Sequence, residues 1–302
     1  MGGPNLTCSR CRNVLLICRY ADCTVAYRVF LKACLMPTYP FQTTDFLGRA
    51  LTLSAAPQRI VSLVPSQTEL LFDLGLEDYV VGITSFCVHP PVARQQKTVI
   101  GGTKNPKIER IRALKPDLVI ANKEENVAEH IHAIAEFAPV WVSEVANLAD
   151  NQRMITEVGA LTNREAAANR INNAIAEAFD NLPKIREPSR ALYLIWRKPY
   201  MAAGGDTFIN AMLEEAGFQN VLDRQHRYPE CTLEQMRTLQ PEVVLLSSEP
   251  YPFRERHIKE LQQELPDATI LLVNGELFSW YGSRMQKAPA YFCRLQEQLK
   301  LR

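Results

Sequence analysis

The stretch "IERIRALKPDLVIANKEE", Ile108 to Glu125, decides the fold, because the chain repeats it. "LEQMRTLQPEVVLLSSEP" begins at Leu233, an offset of 125 (233 minus 108) with no gap. Glu109 aligns with Glu234, Leu114 with Leu239, Pro116 with Pro241 and Glu124 with Glu249. Each copy reads as a short helix, a proline turn and a β-branched strand, so the unit is α then β. Upstream, "RIVSLVPSQTELLFDLGL" from Arg59 is echoed by the longer "RALYLIWRKPYMAAGGDTFINAMLEEAGF" from Arg190. Matching order over four elements predicts two α/β lobes of similar topology with mainly parallel sheets.

Local signals fill in the first lobe. "RIVSLV" is a strand, and Ser66 to Glu69 has the S-x-x-E form of a capping box ahead of the helix "TELLFDL", which Gly75 stops. "YVVGI", "TVIGG", "DLVIA" and "VWVSEV" read as strands, with Asn105-Pro106 expected to open the helix "IERIRAL". Between the lobes "LTNREAAANRINNAIAEAFDNLPK" carries a second S/T-x-x-E pattern, Thr162 and Glu165, and an apolar stripe from Ile171 to Leu182. It predicts one long linking helix, about 20 residues and roughly 30 Å, acting as a semi-rigid strut. The expected division is an N-terminal lobe over 36–161, the linker over 162–187 and a C-terminal lobe over 188–302.

Residues 1–35 have a different character and are expected to form a poorly ordered extension. They hold five of the eight cysteines, but Cys18 and Cys23 have the wrong spacing to complete a zinc site begun by Cys8-x-x-Cys11. Their apolar core "VLLIC" is too short for a readable signal peptide. On the sequence alone that points to the cytoplasm.

Composition narrows the function. A 302-residue chain with 47% hydrophobic and 22% charged residues is ordinary for a globular protein. A net charge of +1 without a basic run argues against nucleic acid, and no apolar run reaches the roughly 18–20 residues a bilayer needs. No H-E-x-x-H, G-x-S-x-G or phosphate loop is present, and His130 and His132 point to different helix faces. Neither a catalytic site nor a metal site is expected.

Ligands of open α/β sheets bind beyond the carboxyl ends of the strands. In the first lobe those ends supply Ser66, Gln67, Phe86, Thr103 and Lys123. In the second they supply Trp196, Arg197, Tyr200, Tyr228, Glu249, Tyr251 and a final loop with Glu276, Trp280, Tyr281 and Arg284. Flat rings and guanidinium forks suit a large conjugated ligand better than a sugar phosphate. Trp280 and Tyr281 are expected as cleft walls and Arg284 as a polar clamp. The competing reading makes the same loop a core plug.

The motif order "TDFLGRALTLSAAPQRIVSLVPSQTELLFDLG" then "IERIRALKPDLVIA" resembles the helical-backbone (class III) substrate-binding proteins of ABC importers, and among them the vitamin-B12-binding members. The match runs from about Thr43 to Leu295. The resemblance implies a monomeric, non-enzymatic protein that holds a metal-chelate ligand between its lobes and delivers it to a membrane permease, working in the periplasm. It also implies that Glu109 and Glu234 dock onto permease arginines. Six residues before each, B12 binders carry a tryptophan where Thr103 and Tyr228 stand here. That departure argues against ordinary vitamin B12 geometry; the resemblance as a whole implies a corrinoid as the ligand, with haem or a ferric siderophore as alternatives and no catalytic cofactor. The alternative reading is a cytoplasmic corrinoid-related enzyme, or a ligand-holding protein without an export signal.

Overall fold

Alternation of β-branched runs with amphipathic helices builds two five-stranded sheets in a computed structural model that describes residues 39–300. The expected extension over 1–35, with its cysteines, lies outside the described residues. A hairpin that sequence reading did not foresee comes first. Its strands β1 (Phe41–Thr44) and β2 (Ala50–Leu53) pair antiparallel. Asp45 fixes the turn: its carboxylate accepts from the Leu47 and Arg49 amides and from the Arg49 guanidinium at 2.9 and 2.7 Å.

The first lobe holds β3 (Ile60–Ser62), β4 (Val80–Ile83), β5 (Thr98–Val99), β6 (Leu118–Asn122) and β7 (Val140–Ser143). They lie in the order β5-β4-β3-β6-β7, every neighbour parallel. The second lobe holds β8 (Ser189–Trp196), β9 (Met201–Ala202), β10 (Phe218–Asn220), β11 (Val243–Ser247) and β12 (Thr269–Val273). Its parallel order is β10-β8-β11-β12, with β9 antiparallel to β8. The places correspond: β3 with β8, β4 with β10, β6 with β11 and β7 with β12.

The correspondence reaches single residues. β6 and β11 begin and end 125 positions apart, as do the starts of the helices before them, Ile108–Ala113 and Leu233–Leu239. Both central strands are buried along their whole length, which is why "LVIAN" and "VVLLS" read as continuous runs rather than alternating ones. Each fully buried aliphatic side chain contributes about 1.5–3 kcal/mol. Two clusters collect them, one around Val61, Ile100, Val119 and Val142, the other around Leu192, Met236, Val244 and Leu246.

Three helix starts differ from expectation. Pro65 takes the first position of the helix Pro65–Asp73, with Val64 as its cap and no side-chain cap bond, so Ser66 to Glu69 is not a capping box. Thr162 closes the helix Leu148–Leu161, its hydroxyl donating to the Val158 carbonyl at 2.7 Å, and the next helix runs Glu165–Asp180. Pro106 forms a bridge with Gly101, and the helix after it starts at Ile108. A complete capping box belongs to Thr232 and Gln235.

The linking helix is also shorter than expected, 16 residues or about 24 Å. It does not stand free. It packs on Leu148–Leu161, on the 3-10 turn Ser283–Lys287 and on the helix Ala288–Lys300. Gly159 permits the helix pairing, since a Cβ there would meet the Ala168 Cβ at 2.5 Å. Asn172 staples the pair by donating to the Gln152 carbonyl and the Thr156 hydroxyl at 3.1 and 3.0 Å.

Candidate functional site

The carboxyl ends of β6 and β11 carry the two halves of the site. After β6, the Asn122 side-chain oxygen accepts from the amides of Glu124 and Glu125 at 2.8 and 3.1 Å, while its NH2 donates to Ser143. Asn126 ties the same turn to the Thr103 carbonyl at 3.0 Å. The turn therefore holds Glu124 and Glu125 in fixed places. After β11, the Ser247 hydroxyl donates to the Glu249 carbonyl at 2.5 Å, and Ser279 donates to the Glu249 carboxylate at 2.6 Å.

These turns bring three carboxylates together. Burial, then the charge of Glu124, pushes Glu125 up to about 7; Lys104 pulls it down and Glu249 pushes it further up. Burial raises Glu249 as well, with Glu276 adding to it. Glu124 faces the second lobe, where it meets the Arg227 guanidinium at 3.9 Å and the Tyr228 hydroxyl. Tyr228 is pushed far above its usual value by burial and by Glu124 and Glu125.

The final loop does something else. Arg284, only 6% exposed, forks onto Glu69 of the first lobe with bonds of 2.7 and 3.0 Å and reaches Glu276 at 2.7 Å. Lys287 adds a longer contact to Glu69, 3.4 Å. Glu276 in turn holds His89 Nε2 at 3.0 Å. Trp280 covers this chain, with the guanidinium 5.0 Å from its ring and the His89 ring edge-on at 5.5 Å. Gly282 makes the turn possible at φ +96, a region that favours glycine, and its amide donates to Asn151 Oδ1 at 2.5 Å. Tyr281 is buried, its hydroxyl set against the Ser66 and Ser143 side chains.

This corrects two expectations. Trp280 and Tyr281, at 8% and 6% exposure, are enclosed rather than open cleft walls, and Arg284 is engaged by protein carboxylates rather than free to clamp a ligand. The cause is Glu69, whose carboxylate needs a partner once it is buried. Sequence reading gave Glu69 only the place of a cap. Spacing gave no signal for contacts 187 and 215 residues apart.

The other expected residues divide. Phe86 and Trp196 stay open at 59% and 40%, one on each lobe, the latter edge-on to Tyr251 at 5.7 Å. Ser66 and Gln67 are buried, the Gln67 NH2 donating to Ser143 Oγ. Lys123 is drawn to Glu144 at 2.6 Å and Arg197 to Glu260 at 2.6 Å, with Tyr200 also bonded to Arg197. Thr103 is half-buried below Asn126. Glu109 and Glu234 are exposed in the first turns of their twin helices, Glu109 lying 3.6 Å from Arg112.

A cavity of about 520 Å³ lies elsewhere, between Phe179, Pro183, Pro188, Glu215 and Phe218. It sits beside the amino ends of β8 and β10, the wrong end of the strands for an α/β ligand site. Among the described residues no three His, Cys, Asp or Glu side chains group as a metal site, and no helix is long and apolar enough to cross a membrane.

The family model described as "Periplasmic binding protein" matches residues 60–268, and the chain belongs to that family: it is a substrate-binding protein of the ABC-importer class, not an enzyme. It is 23% identical to a vitamin B12-binding protein of Pectobacterium atrosepticum, over 82% of this chain and 91% of that one. It is 28% identical to the vitamin B12-binding protein of Vibrio parahaemolyticus, over 66% and 74%. An uncharacterized ABC transporter substrate-binding lipoprotein of Bacillus subtilis is 27% identical over 68% and 69%. In fold it is similar to the periplasmic vitamin B12-binding protein of Vibrio cholerae, with a TM-score of 0.68, 21% identity and coverage of 82% and 99%. A periplasmic heme-binding protein solved with two hemes gives 0.70, 21%, 81% and 100%.

Proposed function

We propose that this protein holds a flat metal-chelate ligand, a corrinoid first among them, in the cleft between its lobes and hands it to an ABC permease outside the cytoplasmic membrane. The observation that carries the reading is the pair Phe86 and Trp196, two large aromatics left exposed on opposite lobes beyond the carboxyl ends of the strands. Flat aromatic faces at such positions can stack on a conjugated ring. Relatives named for vitamin B12 and heme support the ligand class, and periplasmic and lipoprotein relatives support the location. The exposed twins Glu109 and Glu234 are the permease contacts in this reading, at equivalent points of the two lobes.

Titration with hydroxocobalamin, diaquacobinamide and haemin, read by tryptophan fluorescence, tests it. Saturable quenching by at least one is expected. Trp196→Ala should weaken that binding, with a cooperative melt confirming that the variant is still folded. No quenching by any of the three overturns the reading.

A further inference from the structure

Trp196 ends β8, and its backbone is fixed by pairing with Met201 of β9. Backbone pairing does not orient an indole that is 40% exposed, since exposed side chains change rotamer freely. Its orientation depends on what it rests against, and that is Tyr251, edge-on at 5.7 Å. The Tyr251 amide donates to the Ile195 carbonyl at 3.3 Å, which ties the two residues together at the backbone. The Tyr251 ring is held in turn. Phe253 meets it at 4.8 Å and His257 at 5.6 Å, and those two buried rings meet each other at 5.5 Å.

His257 lies in the first turn of the helix Glu255–Glu264 and is fully buried. A buried imidazole costs free energy unless its ring nitrogens are bonded. Nδ1 accepts from the Arg254 amide at 2.9 Å, at the start of the same helix. A backbone amide only donates, so the proton of the neutral ring sits on Nε2. Nε2 lies 3.4 Å from the Tyr251 hydroxyl, which is free to accept from it. The exposed Arg256 guanidinium, 3.2 Å from Nε2, carries only donors and cannot take that role. Burial, then the charges of Arg256 and Arg197, holds His257 below its ordinary value, so the ring stays neutral. Arg197 approaches the Tyr251 hydroxyl as well.

Resting on the proposed function, we infer that His257 is a positioning residue for ligand binding: it acts through Tyr251 to hold the Trp196 ring in the orientation on which a flat ligand stacks. It does not itself meet the ligand, because it is buried behind Tyr251 and Phe253. An apolar side chain could fill the same space, but only a hydrogen-bonding one also reaches the Tyr251 hydroxyl. A ring oriented beforehand loses less freedom when the ligand arrives. For one immobilised side chain that is worth about two- to tenfold in affinity.

His257→Phe keeps a ring in place and removes both bonds. Hydroxocobalamin, diaquacobinamide and haemin are titrated by difference absorbance into the wild type, His257→Phe, Trp196→Ala and the double variant, with a cooperative melt confirming that each is folded. Any probe that binds the wild type should bind His257→Phe about two- to tenfold more weakly, with no further loss once Trp196 is already alanine. A merely structural role would weaken binding in both backgrounds. Iodide quenching reads the same device without ligand, because Trp196 at 40% exposure is far more accessible than Trp280 at 8% or Trp141 at 0%. Its slope should steepen in His257→Phe. Should that variant fail to fold, Tyr251→Phe, which removes only the hydroxyl, carries the same expectations. An equal loss in both backgrounds, no loss in either, or an iodide slope unchanged from the wild type overturns the inference and leaves the proposed function standing. Failure of all three probes to bind the wild type removes the proposed function, and this inference with it.

Discussion

Two clusters of charge meet between the lobes, and they are built on opposite principles. Around Arg284 every charge has a partner: Glu69 receives a two-bond fork, Glu276 a third bond, and His89 and Lys287 close the edges. Around Glu125 the acids outnumber the available cations, and burial holds the carboxyl near neutral pH. The first arrangement joins the lobes through ion pairs, and the second meets Glu249 with the Ser279 hydroxyl rather than with a cation.

The sharpest way to break this contrast is to remove one member of the first cluster. Arg284→Met leaves the Glu69 carboxylate buried without its fork, a change that costs about 3–5 kcal/mol for a pair of this burial. Urea unfolding should show that loss, and Glu69→Met added to it should recover part, because both charges then leave together. Unchanged stability with lost ligand binding would make Arg284 a clamp after all. The contact of His89 with Glu276 is half-exposed, so His89→Ala should cost about 1 kcal/mol or less.

A smaller effect is expected at a third pair of acids that touches neither cluster. Replacing Glu109 and Glu234 together by Ala should leave the fold and ligand affinity unchanged and weaken binding to the permease about tenfold or more, measured on reconstituted transporter. Reduced ligand affinity in that variant would show that the twins report on the cleft rather than on the membrane partner.

Much of the fold was open to reading because the chain states it twice. The β6 and β11 strands are buried on both faces, so their hydrophobic runs survive in both copies, and the offset of 125 fixed the register of one lobe on the other. The hairpin β1–β2 and the helix Leu148–Leu161 were not legible. "FQTT" is too short and polar to announce a strand, and the helix carries a buried Asn151 and Gly159 whose partners come from elsewhere. The Arg284 cluster was harder still. Glu69 sits three residues after a serine and imitates a cap, while its true partner is Arg284, and only the folded lobes bring them together. Trp280 and Tyr281 were placed in the right loop with the wrong surroundings for the same reason.

The smallest effect tests the second cluster without any ligand. Glu125 has its carboxyl raised from the usual carboxylate range to about 7, first by burial and then by Glu124. Between the unfolded value and 7 the folded state therefore binds the extra proton, so this group's contribution is most favourable in mild acid and declines as pH rises through that window. Above it the cost of a partly buried, unpaired carboxylate is complete. Glu125→Gln removes the titration but keeps the shape. It should stabilise the protein at pH 8 by on the order of 1 kcal/mol, screened by the group's partial exposure, and leave stability at pH 5 nearly unchanged. Thermal melts of both proteins across that range would show the two curves diverging with pH. Parallel curves would mean that Glu125 has a cation partner, and the contrast between the two clusters would be lost.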